Sequence, residues 1–320
     1  GSDFLSTVEV GDPNNAADDT TYGAVDYTYR IGTHEVTNAQ YTSFLNAVAA
    51  TDTHGLYNTN MGSAPVGGIS QSGSDGNYSY STKTNMADKP VNFVSFWDAA
   101  RFANWLTNGR PTGPQGDATT ETGMYNLDGD TDPTNTDVTR QLDFSSGENG
   151  VAVASENEWY KAAYYDGSSD YYLYPTQSNV VPSALKPENA TGSNNVNYKN
   201  AVGSVTIVGA YQNSASYYGT FDQGGNVWEW NDATVNNDDR GRRGGSFDQN
   251  AQGLQSSKRF ESRTDRENPN IGFRISSLAP LYPSSSAQSD LISTGDLVLT
   301  AGGAITLNDG NDGNNGVAGT

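Results

Sequence analysis

Between positions 247 and 267 the chain gathers side chains suited to gripping a ligand more than to transforming one. Phe247, Asp248, Gln249, Asn250, Gln252, Lys258, Arg259, Phe260, Glu261, Arg263, Asp265, Arg266 and Glu267 mix aromatic, cationic and hydrogen-bonding groups, with Arg240, Arg242 and Arg243 just upstream. Aromatic and arginine side chains dominate binding hot spots. The same residues would equally well make an internal salt-bridge network among neighbouring Asp, Glu and Arg. Groups for covalent chemistry are scarce. The chain has no Cys, which excludes a thiolate nucleophile, a disulfide and a thiolate metal site. His34 and His54 are the only histidines, too few for a multi-histidine iron centre, and His34, next to a helix cap, reads as structural. Oxygen donors are plentiful. Asp128-Gly129-Asp130-Thr131-Asp132 alternates carboxylates as a calcium loop does, although Pro133 and Thr139 depart from the EF-hand pattern. Asp309-Gly310-Asn311-Asp312-Gly313 is a weaker candidate of the same kind.

The formal charge is −20, from 37 acidic and 17 basic residues. A nucleic-acid phosphate backbone would be repelled, so nucleic acid is not an expected partner, whereas calcium is a natural counter-ligand. Apolar residues make up only 34% of the 320 residues, but 19 Tyr, 10 Phe and 5 Trp are available to fill a core. With 36 Gly, the expectation is a loop-rich α+β fold with few helices. No apolar run is long enough to span a membrane as a helix.

Three helix starts are legible. Thr37 with Gln40, Ser95 with Asp98, and Ser155 with Glu158 have capping-box spacing. Tyr41, Phe44, Leu45 and Val48 follow the first on one face; Ala99, Phe102, Ala103 and Leu106 follow the second; Trp159, Ala162 and Ala163 follow the third. Residues 8–31 alternate as strands around Val8, Val10, Val25, Tyr27, Tyr29 and Ile31, and Asp75-Gly76 marks a hairpin within 51–90. From 164 to 275 only short strands and turns are expected. The composition places a domain at 1–280, a linker at 281–289 and a strand-forming Gly/Asn-rich tail at 290–320.

Several segments, in order, resemble the formylglycine-generating enzyme (sulfatase-modifying factor) family. They are Glu35-Val36-Thr37-Asn38-Ala39-Gln40-Tyr41, Pro90-Val91-Asn92-Phe93-Val94-Ser95-Phe96-Trp97-Asp98, Ser155-Glu156-Asn157-Glu158-Trp159, Tyr174-Pro175, Asp222-Gln223-Gly224-Gly225-Asn226-Val227-Trp228-Glu229-Trp230, Arg243-Gly244-Gly245-Ser246-Phe247 and Gly272-Phe273-Arg274. The resemblance implies a C-type-lectin-like fold from about Ile31 to Ile275. It places the family's catalytic cysteine pair at Gln249 and Leu254, which removes the family's oxidase chemistry and implies a protein that is not an enzyme of that type. It also implies calcium at Asp222, Gly225, Val227 and Glu229, with Asn197 at a second site. Lectin-like folds display ligand contacts in the region corresponding to 247–270, which makes Phe247, Asp248, Gln249, Lys258, Phe260, Glu261, Arg263 and Arg266 the candidate ligand surface.

Two functions are therefore expected, with an unrecognised enzymatic activity as a third alternative. One is an extracellular or bacterial cell-surface structural protein that associates with itself, as an oligomer or filament, through the strand at Asp290–Asn308. The other is a lectin-like receptor or adhesin that recognises a glycan or cell-surface ligand through 247–267.

Overall fold

The computed structural model describes residues 4–281 apart from residues 133, 136, 237 and 238. Strand β1 (Thr7–Val10) pairs antiparallel with β2 (Tyr29–Gly32), bringing Val8 opposite Ile31 and Val10 opposite Tyr29. The Asn/Asp-rich segment between them is a loop, so Val25 and Tyr27 pack without joining the strand. Helix α1 (Asn38–Val48) starts at the expected capping box: the Thr37 side chain accepts from Gln40 N, and the Gln40 side chain accepts from Thr37 N. After a single helical turn, α2 (Asn60–Ser63), the hairpin β3 (Ile69–Ser72) and β4 (Ser79–Thr82) closes around Asp75-Gly76.

Helix α3 (Phe96–Thr107) is capped by Ser95 and Asp98 and carries an almost fully buried sequence. Its aromatic face meets that of α1. Phe44 packs edge-on against Phe102, and Phe102 in turn against Phe273. The abundant rings supply the core volume that a chain poor in aliphatics otherwise lacks. Strand β5 (Val151–Val153) leads into α4 (Glu156–Tyr164), capped by Ser155 and Glu158. Two short strands, β6 (Ser183–Ala184) and β7 (Asn195–Val196), pair in parallel.

The last third holds β8 (Trp228–Asn236), β9 (Asp239–Arg243), β10 (Phe260–Arg263), β11 (Ile271–Phe273) and β12 (Ile275–Ser277). As expected, this region contains no long helix among the described residues. One sheet runs β1-β2-β12-β5 and the other β10-β9-β8-β11. A mixed α+β, loop-rich domain results. The described residues belong to one compact unit. The expected strand at Asp290–Asn308, the linker and the acidic Asp309–Gly313 segment lie outside the described residues.

Candidate functional site

Side chains alternate across a strand, so the sheet β10-β9-β8-β11 has two chemically different faces. Glu229 lies opposite Arg243, and Trp230 opposite Arg242. Glu229, Arg243 and their neighbours face inward, whereas Arg242 lies over Trp228 and Trp230 on the other side.

On the inward face Glu229 is fully buried. It accepts from Arg274 Nε at 2.6 Å, Arg274 Nη2 at 2.7 Å and Trp159 Nε1 at 2.6 Å. Arg274 also donates to the carbonyls of Gly32 and Phe221. Two more carboxylates lie in the field of this arginine. Burial, reinforced by Asp222 and Glu229, holds the Glu35 carboxyl well above its ordinary range. Burial pushes Asp222 up to about 6. His34, stacked on Phe221, is pushed down to about 4 by burial and by Arg274, in keeping with a structural role.

The loop before β8 is held by close backbone contact. Gly225 has φ +83°, and a Cβ there would lie 2.3 Å from the Asn197 carbonyl oxygen, so only glycine fits. Asp222 and Asn226 also have positive φ, which Asp and Asn tolerate better than most residues. Asn226 Oδ1 receives Thr206 N, and Asn226 Nδ2 donates to Glu35 Oε1.

A cation at this loop can be tested against its donors. Three carboxylates, Glu35, Asp222 and Glu229, share one arginine, a formal excess of two negative charges if all ionise. Glu35 Oε2 and Asn197 Oδ1 are buried acceptors without a hydrogen-bond partner. Charge and orphaned oxygens thus fit a divalent ion. Glu229, expected as a carboxylate ligand, has both of its oxygens bonded by Arg274 and Trp159, so an ion would have to share it with Arg274. Among the described residues no group of three or more His, Cys, Asp or Glu is placed to hold a metal by itself, so backbone and amide oxygens would have to complete any such site. In the other candidate loop, Asp130 and Asp132 accept from their own loop, from Asp132 N and Thr134 N respectively. Such bonds occupy one oxygen of Asp130 and one of Asp132.

The arginines between 240 and 266 divide into two sets. Arg240 and Arg243 are buried. Arg243 Nε and Arg259 Nη2 both bind Glu156, each at 2.7 Å, and Arg240 donates to the carbonyls of Asp232 and Val138. This half of the cluster is the internal network. Arg242, Arg263 and Arg266 make the open half. Arg242 Cζ lies 5.6 Å from the Trp228 ring and 5.8 Å from the Trp230 ring.

The expected ligand residues are likewise separated. Phe247 is a correction: it is 7% exposed and packs with Met86, Val205 and Val227, because its N–H bonds Asn226 O and draws the ring inward. Asp248, Lys258, Glu261, Arg263 and Arg266 are exposed, Gln249 is half-buried, and Phe260 is 43% exposed with its ring 4.8 Å from Trp228. Gln249, Lys258 and Phe260 border one hollow of about 530 Å³ with Asn250, Gln252 and Gln255. Arg263 and Arg266 line a second, of about 650 Å³, with Arg242. Arg242 belongs to the basic cluster read in the sequence but not to the expected ligand residues; strand alternation separates it from Arg243, whereas the burial of Arg240 on its own side of the strand has no such local signal. At the two positions that the resemblance gives to cysteines, Leu254 is fully buried and Gln249 sits at a rim.

The sequence matches the sulfatase-modifying factor enzyme 1-like domain family over residues 7–277. No curated protein sequence matches the chain. Among solved structures, CarF superposes with a TM-score of 0.53 at 18% identity, covering 86% of this chain and 99% of that one. Treponema denticola variable protein 1 superposes with a TM-score of 0.51 at 15% identity, covering 86% and 95% respectively. At these identities the likeness is one of fold.

Proposed function

The chain belongs to the sulfatase-modifying factor enzyme 1-like domain family, and from that premise we propose that it is a non-catalytic binding module. Its partner is a glycan or cell-surface molecule that engages the β9–β10 face. The observation that carries this reading is the open half of the arginine cluster. Arg242, Arg263 and Arg266 line one hollow and the exposed Phe260 borders another, both along β9 and β10, in a chain whose net charge is −20. Gln249 and Leu254 supply no redox group. Location at the bacterial cell surface or in the extracellular medium is part of the reading and accords with the acidic composition.

The test is retention on an array of immobilised glycans and surface proteins. The double variant Phe260→Ala/Arg263→Ala should lose retention while unfolding at nearly the same urea concentration as the wild type. A wild-type protein retained by nothing, or a variant retained equally, would sink the reading.

Calcium is proposed at the loop before β8. Asn197, Asp222 and the carbonyls of Gly225 and Val227 would hold it, with Glu229 shared with Arg274. The ion would offset the local carboxylate excess and stiffen the loop beneath the binding face.

Self-association is a second reading, favoured by one observation: among the described residues β10 is an outermost strand, paired only with β9. An open edge accepts an added strand, and the segment Asp290–Asn308 of a second copy has the composition to supply one. Size-exclusion and negative-stain microscopy of the full chain beside a truncation after Pro280 test it. Polymers lost on truncation are expected, and monomers in both samples would rule it out.

A further inference from the structure

The larger hollow on this face has a lining that narrows the class of ligand. It is formed by Arg242, Arg263, Asp265, Arg266, Glu267 and Asn268, together with the hydroxyl-bearing Ser262. Every one of these side chains is polar. A ligand there gains little from burial of apolar surface and must be held by charge and hydrogen bonds. The volume, about 650 Å³, is in the range of small-molecule sites.

The cations are incompletely neutralised. Arg263 has a partner, Asp265 at 2.9 Å, and both are about half exposed. Arg266 has no ion pair among the described residues. Arg242 stands on the indoles of Trp228 and Trp230; among the described residues its buried Nε has no partner and its side chain makes one long hydrogen bond, 3.3 Å to Glu261 O. The carboxylate of Glu267 is turned away to accept from Asn58 at 2.8 Å. Among the lining side chains three arginines stand against two carboxylates, while Glu261 and Asp239 act on Arg242 from outside the lining. Outside this hollow the protein is strongly acidic, so a long polyanion is repelled while a single negative group is drawn in.

We propose that this hollow binds an acidic sugar, with its carboxylate or sulfate ester on the guanidinium groups of Arg242 and Arg266 and its hydroxyls on Asn268 and Asp265. The planar guanidinium of Arg242, already desolvated on one side by the two indoles, presents a fork that matches a planar carboxylate or two oxygens of a sulfate. This inference rests on the binding-module reading and specifies its ligand.

Tryptophan fluorescence of the full-length protein gives the assay, because the binding arginine lies over Trp228 and Trp230. Titrations with glucuronate, with glucose 6-sulfate and with neutral glucose separate the two anion sources from sugar alone. A fluorescence change that saturates with glucuronate, with the sulfate, or with both is expected, and no change with glucose. Arg242→Gln and Arg266→Gln should each weaken binding about tenfold or more, as loss of a charged hydrogen bond does. Arg266 is exposed, so its variant keeps the test valid if Arg242→Gln unfolds. Equal response to glucose, no response to either anion, or full affinity in Arg266→Gln overturns the inference. A neutral glycan retained on the array and lost in Phe260→Ala/Arg263→Ala, but untouched by Arg266→Gln, would overturn the acidic-sugar assignment alone and leave the binding module standing.

Discussion

Removing Arg274 should cost far more than neutralising its partner Glu229, because the buried cluster holds three carboxylates and one cation. In Arg274→Met, Glu229 loses two charged hydrogen bonds and faces Glu35 and Asp222 with no counter-charge. Breaking a buried pair from one side costs about 3–5 kcal/mol. The carbonyls of Gly32 and Phe221 each lose a donor, at roughly 1 kcal/mol apiece. A total of about 5–7 kcal/mol is comparable with the whole stability of a domain, about 5–15 kcal/mol. In Glu229→Gln, by contrast, the amide oxygen still accepts from Trp159, and Arg274 still has Glu35 and Asp222 nearby, so the loss should be only about 1–3 kcal/mol. Urea unfolding followed by tryptophan fluorescence at pH 7.5 measures both, read as midpoints with the slope held common. A Glu229→Gln variant less stable than Arg274→Met would refute the charge count on which this reasoning stands.

Other outcomes follow from the same geometry. Asp222, raised to about 6, binds its proton more tightly folded than unfolded, so its stabilising contribution is complete at low pH and declines as pH rises through about 6. Calcium should therefore raise the melting temperature more at pH 7.5 than at pH 5, and an equal effect of calcium and magnesium at both would contradict the loop site. Glu158 is affected in the opposite direction: Arg140 and hydrogen bonds outweigh burial and hold it at about 2. Its contribution is present above pH 4.5 and lost as pH falls towards 2, which acid titration monitored by circular dichroism should show weakened in Arg140→Gln. Phe247→Ala should destabilise by about 3–5 kcal/mol as a core truncation, and Phe260→Ala by about 1 kcal/mol; similar urea midpoints for the two would mean that Phe247 is not core. Incubation with a cysteine-containing sulfatase peptide, copper and oxygen should yield no formylglycine by mass spectrometry, and any product would end the non-catalytic reading.

The helices were legible because their starts are written locally. Thr37/Gln40, Ser95/Asp98 and Ser155/Glu158 each close a reciprocal capping pair in the structure, and a span of four residues suffices to state it. The hairpin at Asp75-Gly76 is local in the same way. The binding face was only half legible. A run of residues looks continuous in sequence, but the strand alternation sends Arg243 inward to Glu156 and leaves Arg242 on the aromatic side. Phe247 looks like an anchor until the Gly244-Gly245 turn, with both glycines at positive φ, carries it beneath Asn226. Least legible was the cluster of Glu35, Asp222, Glu229 and Arg274. It is assembled from three separate segments, around Glu35, Asp222–Glu229 and Arg274, and nothing in any one of them announces that the carboxylates will compete for a single guanidinium.

The claim that the β9–β10 face engages a partner is tested most directly by amide hydrogen exchange on the full-length protein, alone and with the ligand retained on the array. Slowed exchange confined to 240–243 and 260–268 is the expected result. Unchanged exchange there, with protection appearing on another part of the domain, would contradict it.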